Sequence, residues 1–130
     1  MPIRQTAMLE RTLSNYQNHS FEYLLLSWLL KGGWEASKPS VDLGAKTDVQ
    51  IIDGKTVYRI QVKCLDTDEE DVKVHNMWKG VDIDYIVYFS KKSDWGYILP
   101  AFKQNQAKLK AKGKRFCQNS DNFLKIFATV

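Results

Sequence analysis

Cysteine, histidine and proline are scarce in this chain, and the scarcity removes whole classes of explanation. Cys64 and Cys117 are the 2 cysteines among 130 residues, too few for a framework of disulfides or a four-thiolate zinc site. Two reduced thiols in a soluble, cytoplasmic protein are the expectation. His19 and His75 are the 2 histidines, and neither stands near a carboxylate in a recognised ligand spacing. A histidine-based metal centre is therefore not expected, and both rings read as surface or loop positions. There is no Ser-His-Asp or Cys-His arrangement and no glycine-rich phosphate loop. Long apolar runs are lacking too: Phe21 to Leu30 is the longest and is too short to span a bilayer. Met1 to Glu10 lack the basic start and apolar stretch of a signal peptide, so no membrane partner is expected. The acidic run from Asp66 fails as a calcium loop, because Asp71 stands where glycine is needed and Met77 where glutamate is needed. It reads as a solvated acidic loop.

What is present suits one domain spanning 1–130, with 44% hydrophobic and 26% charged residues and a core large enough to need no metal or disulfide. The net charge is +4, and its distribution says more than its size. Lys103 to Arg115 holds 6 basic residues and no acid, while Asp66 to Asp71 holds 5 acids and no base. One small domain carrying both blocks has a polarised surface. No repeat, linker or low-complexity tract divides the chain.

Tyr16, Phe21, Leu24, Leu25, Trp28 and Leu29 recur at helical spacing. The helix they predict ends at Gly32-Gly33 and begins near Thr6 or near Asn15. A polar loop, Glu35 to Lys46, follows it. Two strands are predicted next, Asp48 to Ile52 and Thr56 to Cys64, joined at Asp53-Gly54, a strong hairpin signal. Further strands are expected at Asp84 to Phe89 and Tyr97 to Leu99. Pro100 is placed to open a helix to Lys112, and Phe123 to Ala128 reads as a last short strand. This order describes an α/β domain with a small mixed sheet.

Within the hairpin, Gln61 and Lys63 are two apart on one strand and project from the same face. Asp48 starts the partner strand, within reach of both. Asp48, the Gln61 side-chain oxygen and the Val62 carbonyl are hard oxygen ligands suited to Mg²⁺, with Mn²⁺ as a substitute. An ammonium at Lys63 would stabilise charge on a nucleophile or a pentavalent phosphorus, so the set suits phosphodiester hydrolysis. The competing reading of the spacing alone is the polar side of a half-buried strand facing water.

Beyond spacing, Thr47-Asp48-Val49-Gln50-Ile51-Ile52 followed by Tyr58-Arg59-Ile60-Gln61-Val62-Lys63 resembles the PD-(D/E)XK nuclease superfamily. It is most similar to the Q-x-K branch, which includes small intron-encoded homing endonucleases. Asp84 to Phe89 and Gly96 to Pro100 share the likeness, which covers about residues 16–100. The resemblance implies a restriction-endonuclease-like core, a mixed four-stranded sheet flanked by helices. It also implies an acidic metal ligand on the first core helix, where Glu22 is the matching position and Glu10 the alternative; the competing reading puts Glu22 on the solvated helix face. The chain departs from the family pattern at Thr47, where proline is usual, and at Gln61, which replaces an acid and removes one negative charge from the metal site.

The expectation is a Mg²⁺-dependent DNA endonuclease. Asp48, Gln61, Lys63 and Glu22 are its site, and double-stranded or branched DNA is its partner. Phosphate contacts are expected at Lys38, Ser40 and Lys46, and along Lys103, Lys108, Lys110, Lys112, Lys114 and Arg115, although a solvated face is the rival reading of that basic block. Cutting both strands calls for two sites, hence a homodimer or homotetramer; some of the 4 tryptophans were candidates for that self-association. A sequence-specific homing or restriction-type enzyme is the first reading. A Holliday-junction resolvase, or a DNA-binding module without chemistry, are the alternatives.

Overall fold

The long helix forms where the sequence allows it and stops where glycine permits. In the computed structural model, which describes residues 1–41 and 44–130, α1 runs from Glu10 to Lys31. Its start matches neither expected position, because Leu9 at the N-cap offers no side-chain hydrogen bond and nothing in the sequence marks that boundary. Its end is as expected. Gly33 takes φ +89°, and the Gly33 and Trp34 amides donate back to the carbonyls of Leu30 and Leu29. Leu25, Trp28 and Leu29 are buried, but Tyr16 and Leu24 of the expected apolar face are exposed.

A six-stranded mixed sheet forms the centre. Its strands are β1 (Glu35–Ser37), β2 (Val49–Asp53), β3 (Thr56–Leu65), β5 (Tyr85–Ser90), β6 (Trp95–Pro100) and β8 (Lys114–Cys117), side by side in that order. β3 and β5 are parallel and every other neighbour is antiparallel. The expected four strands are thus the middle of the sheet, and β1 and β8 extend its two edges. The β2–β3 turn needs Gly54, which holds φ +62° between the paired Asp53 and Thr56. A separate two-stranded sheet pairs β4 (Lys73–His75) with β7 (Gln106–Lys108).

Three expectations are corrected. The polar loop after Trp34 begins with β1, whose three residues are too few to show alternation; Asp42 and Leu43 of that loop lie outside the described residues. The helix expected from Pro100 to Lys112 is instead the end of β6, a connection, β7 and the single-turn α2 (Leu109–Lys112). Only Phe102 and Leu109 of that stretch are buried, too little for an apolar helical stripe, and its backbone pairs with β4 instead. The last expected strand is a helix, α3 (Ser120–Phe127). Asn119 caps it by accepting from the Asn122 amide, and Phe123 and Phe127, one turn apart, are its buried residues.

α1 and α3 pack on one face of the sheet, and β4, β7 and α2 on the other. The first core gathers Leu25, Trp28, Leu29, Ile60, Val62, Phe89, Phe116 and Phe123. Trp28 is its hub, with ring centroids 5.3 Å from Phe123, 5.7 Å from Phe89 and 6.2 Å from Phe116. Gly96 is required there, since any Cβ would collide with the Phe116 ring and the Tyr88 carbonyl. The second core holds Trp78, Trp95, Tyr88, Leu99 and Leu109. Trp28, Trp78 and Trp95 are buried and the half-buried Trp34 packs against the first core. No helix among the described residues is long and apolar enough to cross a membrane.

Candidate active site

Because β-strand side chains alternate, the residues that cannot join the first core emerge on the opposite side of β3. Ile60 and Val62 go into that core, and Gln61 and Lys63 turn away from it. Asp48 directly precedes β2, its amide bonded to the Ile60 carbonyl at 3.0 Å. Its Oδ2 accepts from the Val62 amide at 2.8 Å, which locks the carboxylate against the middle of β3. Glu22 arrives from α1, and Met77 from the loop after β4. With Lys46, Val62 and Lys63 these residues line one open cleft of about 370 Å³.

The four expected site residues therefore share one cleft. Glu22 is only 7% exposed, which removes the reading of a solvated helix face. Glu10 lies elsewhere, beside Leu13, Gln17 and Lys91. Among the described residues, Lys63 makes neither a hydrogen bond nor an ion pair, so its ammonium is uncommitted at the cleft wall.

Two side chains in the site had been given other places. Lys38 was expected on DNA, but its Nζ bonds Glu22 Oε1 at 2.5 Å and stands 5.5 Å from the centre of the Tyr23 ring. His19 was expected on the surface away from any carboxylate. The ring is exposed, yet Nδ1 lies 3.2 Å from Glu22 Oε2, one helical turn away. The His-x-x-Glu spacing on a helix was the signal that would have found it. Met77 had no signal at all.

The electrostatics follow from burial. Asp48's carboxyl is held above the ordinary aspartate range, first by burial and also by the negative charge of Glu22. The Val62 amide and the charges of Lys38 and Lys63 pull the other way without overcoming it. Burial also opposes the charge on Lys38, but the bond to Glu22, the Glu22 and Asp48 charges and Tyr23 together raise its pKa.

Gln61 is the test of whether a metal fits. The side chain is 4% exposed, and its amide nitrogen donates to the Lys46 carbonyl at 3.4 Å, leaving buried Oε1 with no partner. An orphaned acceptor beside two carboxylates is the donor set a hard divalent cation needs. No group of three or more His, Cys, Asp or Glu among the described residues can hold a metal, so the amide oxygen is needed to complete such a site. The residues present fit Mg²⁺ or Mn²⁺.

The basic block is only partly free. Lys103, Lys108, Lys110 and Lys112 are exposed, but Lys114 Nζ bonds the Thr129 carbonyl at 2.5 Å, and Arg115 bonds Glu70 at 2.7 Å. The basic and acidic blocks thus meet at one point, where Tyr97 also donates to Glu70 at 2.7 Å. Ser40 and Lys46 are exposed, and Lys46 lines the cleft with its Nζ bonded to the Met77 carbonyl at 2.7 Å.

No family model and no curated protein matches the chain. Among solved structures, the bacterial homing endonuclease I-Ssp6803I is similar at a TM-score of 0.57 and 18% identity, over 79% of this chain and 76% of that one. A Holliday junction resolvase, Hjc of Archaeoglobus fulgidus, is similar at a TM-score of 0.47 and 17% identity, over 72% of this chain and 92% of that one. At such identities the likeness is one of fold, and the second superposition is too loose to add to the first. The chain has the mixed α/β fold of the bacterial enzyme, its central sheet flanked by helices.

Proposed function

We propose that this chain is a divalent-metal-dependent DNA endonuclease of the PD-(D/E)XK type, its Q-x-K form, cutting duplex DNA sequence-specifically as a homodimer or homotetramer. The observation that carries the reading is the convergence of Glu22, Asp48, the unpartnered Gln61 Oε1 and the uncommitted Lys63 on one cleft. The fold shared with a homing endonuclease agrees with it.

Asp48, Gln61 Oε1, the Val62 carbonyl and Glu22 are the groups that would hold the cation. Bound there, it would supply Lewis-acid polarisation of the phosphate and a more acidic water. The chain's own contribution is positional. The Val62 amide fixes the Asp48 carboxylate, and the Lys46 carbonyl accepts from the Gln61 amide nitrogen, which leaves its buried oxygen unpaired. Lys63 offers a positive charge where negative charge builds up on the phosphorane. Ser40, Lys46 and the exposed Lys103, Lys108, Lys110 and Lys112 supply phosphate contacts that hold DNA without reading it.

The test is cleavage of defined duplexes and of a four-way junction in Mg²⁺, with Lys63→Ala alongside. Duplex cleavage at a defined sequence, lost in Lys63→Ala with DNA binding retained, is the expected result. Cutting of junctions regardless of sequence points instead to a resolvase. Wild-type protein that binds DNA but nicks none in Mg²⁺ or Mn²⁺ is a binding module.

A further inference from the structure

We infer that Lys38 is the resident counter-cation of the metal site, paired with the Glu22 carboxylate and giving it up when a divalent cation binds. The inference rests on the metal-site reading above and goes beyond it by naming what the cation must displace.

Three observations carry it. Lys38 Nζ bonds Glu22 Oε1 at 2.5 Å, a charge-assisted contact. Glu22 is buried, with only His19 Nδ1, at 3.2 Å from its other oxygen, and Lys38 as polar partners in the described residues. A divalent ion held by Glu22 would need this same carboxylate oxygen, and both cations cannot sit against it. Lys38 lies at the start of the connection between β1 and β2, on a flexible four-carbon stem, so it can leave without moving the sheet.

Lys38→Gln removes the charge and keeps much of the stem. Its Mn²⁺ affinity without DNA, measured by calorimetry, should be at least about tenfold tighter than wild type, since a fixed positive charge no longer opposes the ion. Lys38→Arg keeps the charge and should gain nothing. In EDTA the Gln variant should melt below wild type, and saturating Mn²⁺ should close that gap. If wild type binds Mn²⁺ in an Asp48-dependent way and Lys38→Gln binds no tighter, the counter-cation role falls and the metal site stands. If neither binds Mn²⁺, both readings fall. Heteronuclear NMR of the lysine Cε positions in unmodified protein gives a check that needs no variant. The Lys38 signal should move during a Mg²⁺ titration and saturate with the site, and a Lys38 signal indifferent to Mg²⁺ overturns the inference.

Discussion

Replacing Gln61 by glutamate tests the site at its most exacting position. Gln61 is 4% exposed, donates to the Lys46 carbonyl at 3.4 Å, and leaves Oε1 unpaired. Gln61→Glu keeps the shape and turns the donor into a second acceptor. The new carboxylate then faces the Lys46 carbonyl and shares the cleft with Glu22 and Asp48. A buried polar group left without a partner costs about 1–3 kcal/mol, and more when charged. For a domain of this length each kcal/mol moves Tm by roughly 4 °C, so in EDTA the variant should melt about 4–12 °C below wild type. A divalent cation should reverse the order of effects. A third charged oxygen tightens its binding, and tighter binding to the folded state stabilises it further at a given concentration. Circular dichroism melts in EDTA and in MnCl₂ read both effects. If the variant melts with wild type in EDTA, the buried orphan acceptor is wrong. If it loses stability but gains no more from Mn²⁺ than wild type does, the metal site is wrong.

Asp48→Asn should lower cleavage by about two to three orders of magnitude, the scale of removing one charge-stabilising group from an active site. The same variant should melt no lower than wild type in EDTA, because asparagine keeps the acceptor for the Val62 amide and relieves the burial that disfavours the charged carboxyl. Glu70 is held below the ordinary carboxylate range, first by the Tyr97 hydroxyl and then by Arg115. Its contribution is therefore present above the ordinary glutamate pKa and lost as pH falls through the lowered one. Glu70→Gln should cost roughly 1 kcal/mol or less at neutral pH, since the pair is partly solvated, and the Tm difference should vanish in strong acid. Replacing Lys103, Lys108 and Lys110 together by glutamine should flatten the salt dependence of DNA binding by about 0.9 in log–log slope for each lysine that touches a phosphate, as fluorescence anisotropy would show; an unchanged slope removes this block from the interface.

The centre of this fold was legible because its signals are local. Asp53-Gly54 announced the β2–β3 hairpin, and the clean alternation of β3 put Gln61 and Lys63 on the side of the strand away from Ile60 and Val62. What failed depended on distant partners. Phe123 to Ala128 is apolar enough for a strand, and only its packing on Trp28 together with the Asn119 cap makes it a helix. Residues 106–108 look helical beside Leu109, yet they pair with β4, some thirty residues upstream. β1 is three residues long and exists because β2 offers it an edge. In the site, the pairing of Lys38 with Glu22 was illegible for the same reason. A lysine in a polar loop reads as solvated, and nothing local says that Glu22 waits for it across 16 positions.

The charge balance of the cleft ties the two unusual residues together. Glu22 and Asp48 contribute two negative charges, Lys38, Lys46 and Lys63 three positive ones, and Gln61 none, so the cleft holds no excess of acid. A glutamate at 61 would place a third acid beside Glu22 and Asp48, so the folded state would lean more on a bound divalent cation. A glutamine at 61 without Lys38 would leave the buried Glu22 with His19 as its polar partner among the described residues. Each residue is therefore intelligible only with the other. On the proposed reading Lys38 offsets the acid of Glu22 until a cation arrives, and Gln61 adds no further charge. Such a site should bind its cation more weakly than three acids would, because the ion must replace a bound ammonium and gains only two anionic ligands. A site built this way is best filled when DNA brings its own phosphate oxygens and offers the displaced Lys38 another anion, so substrate and metal should each strengthen the binding of the other.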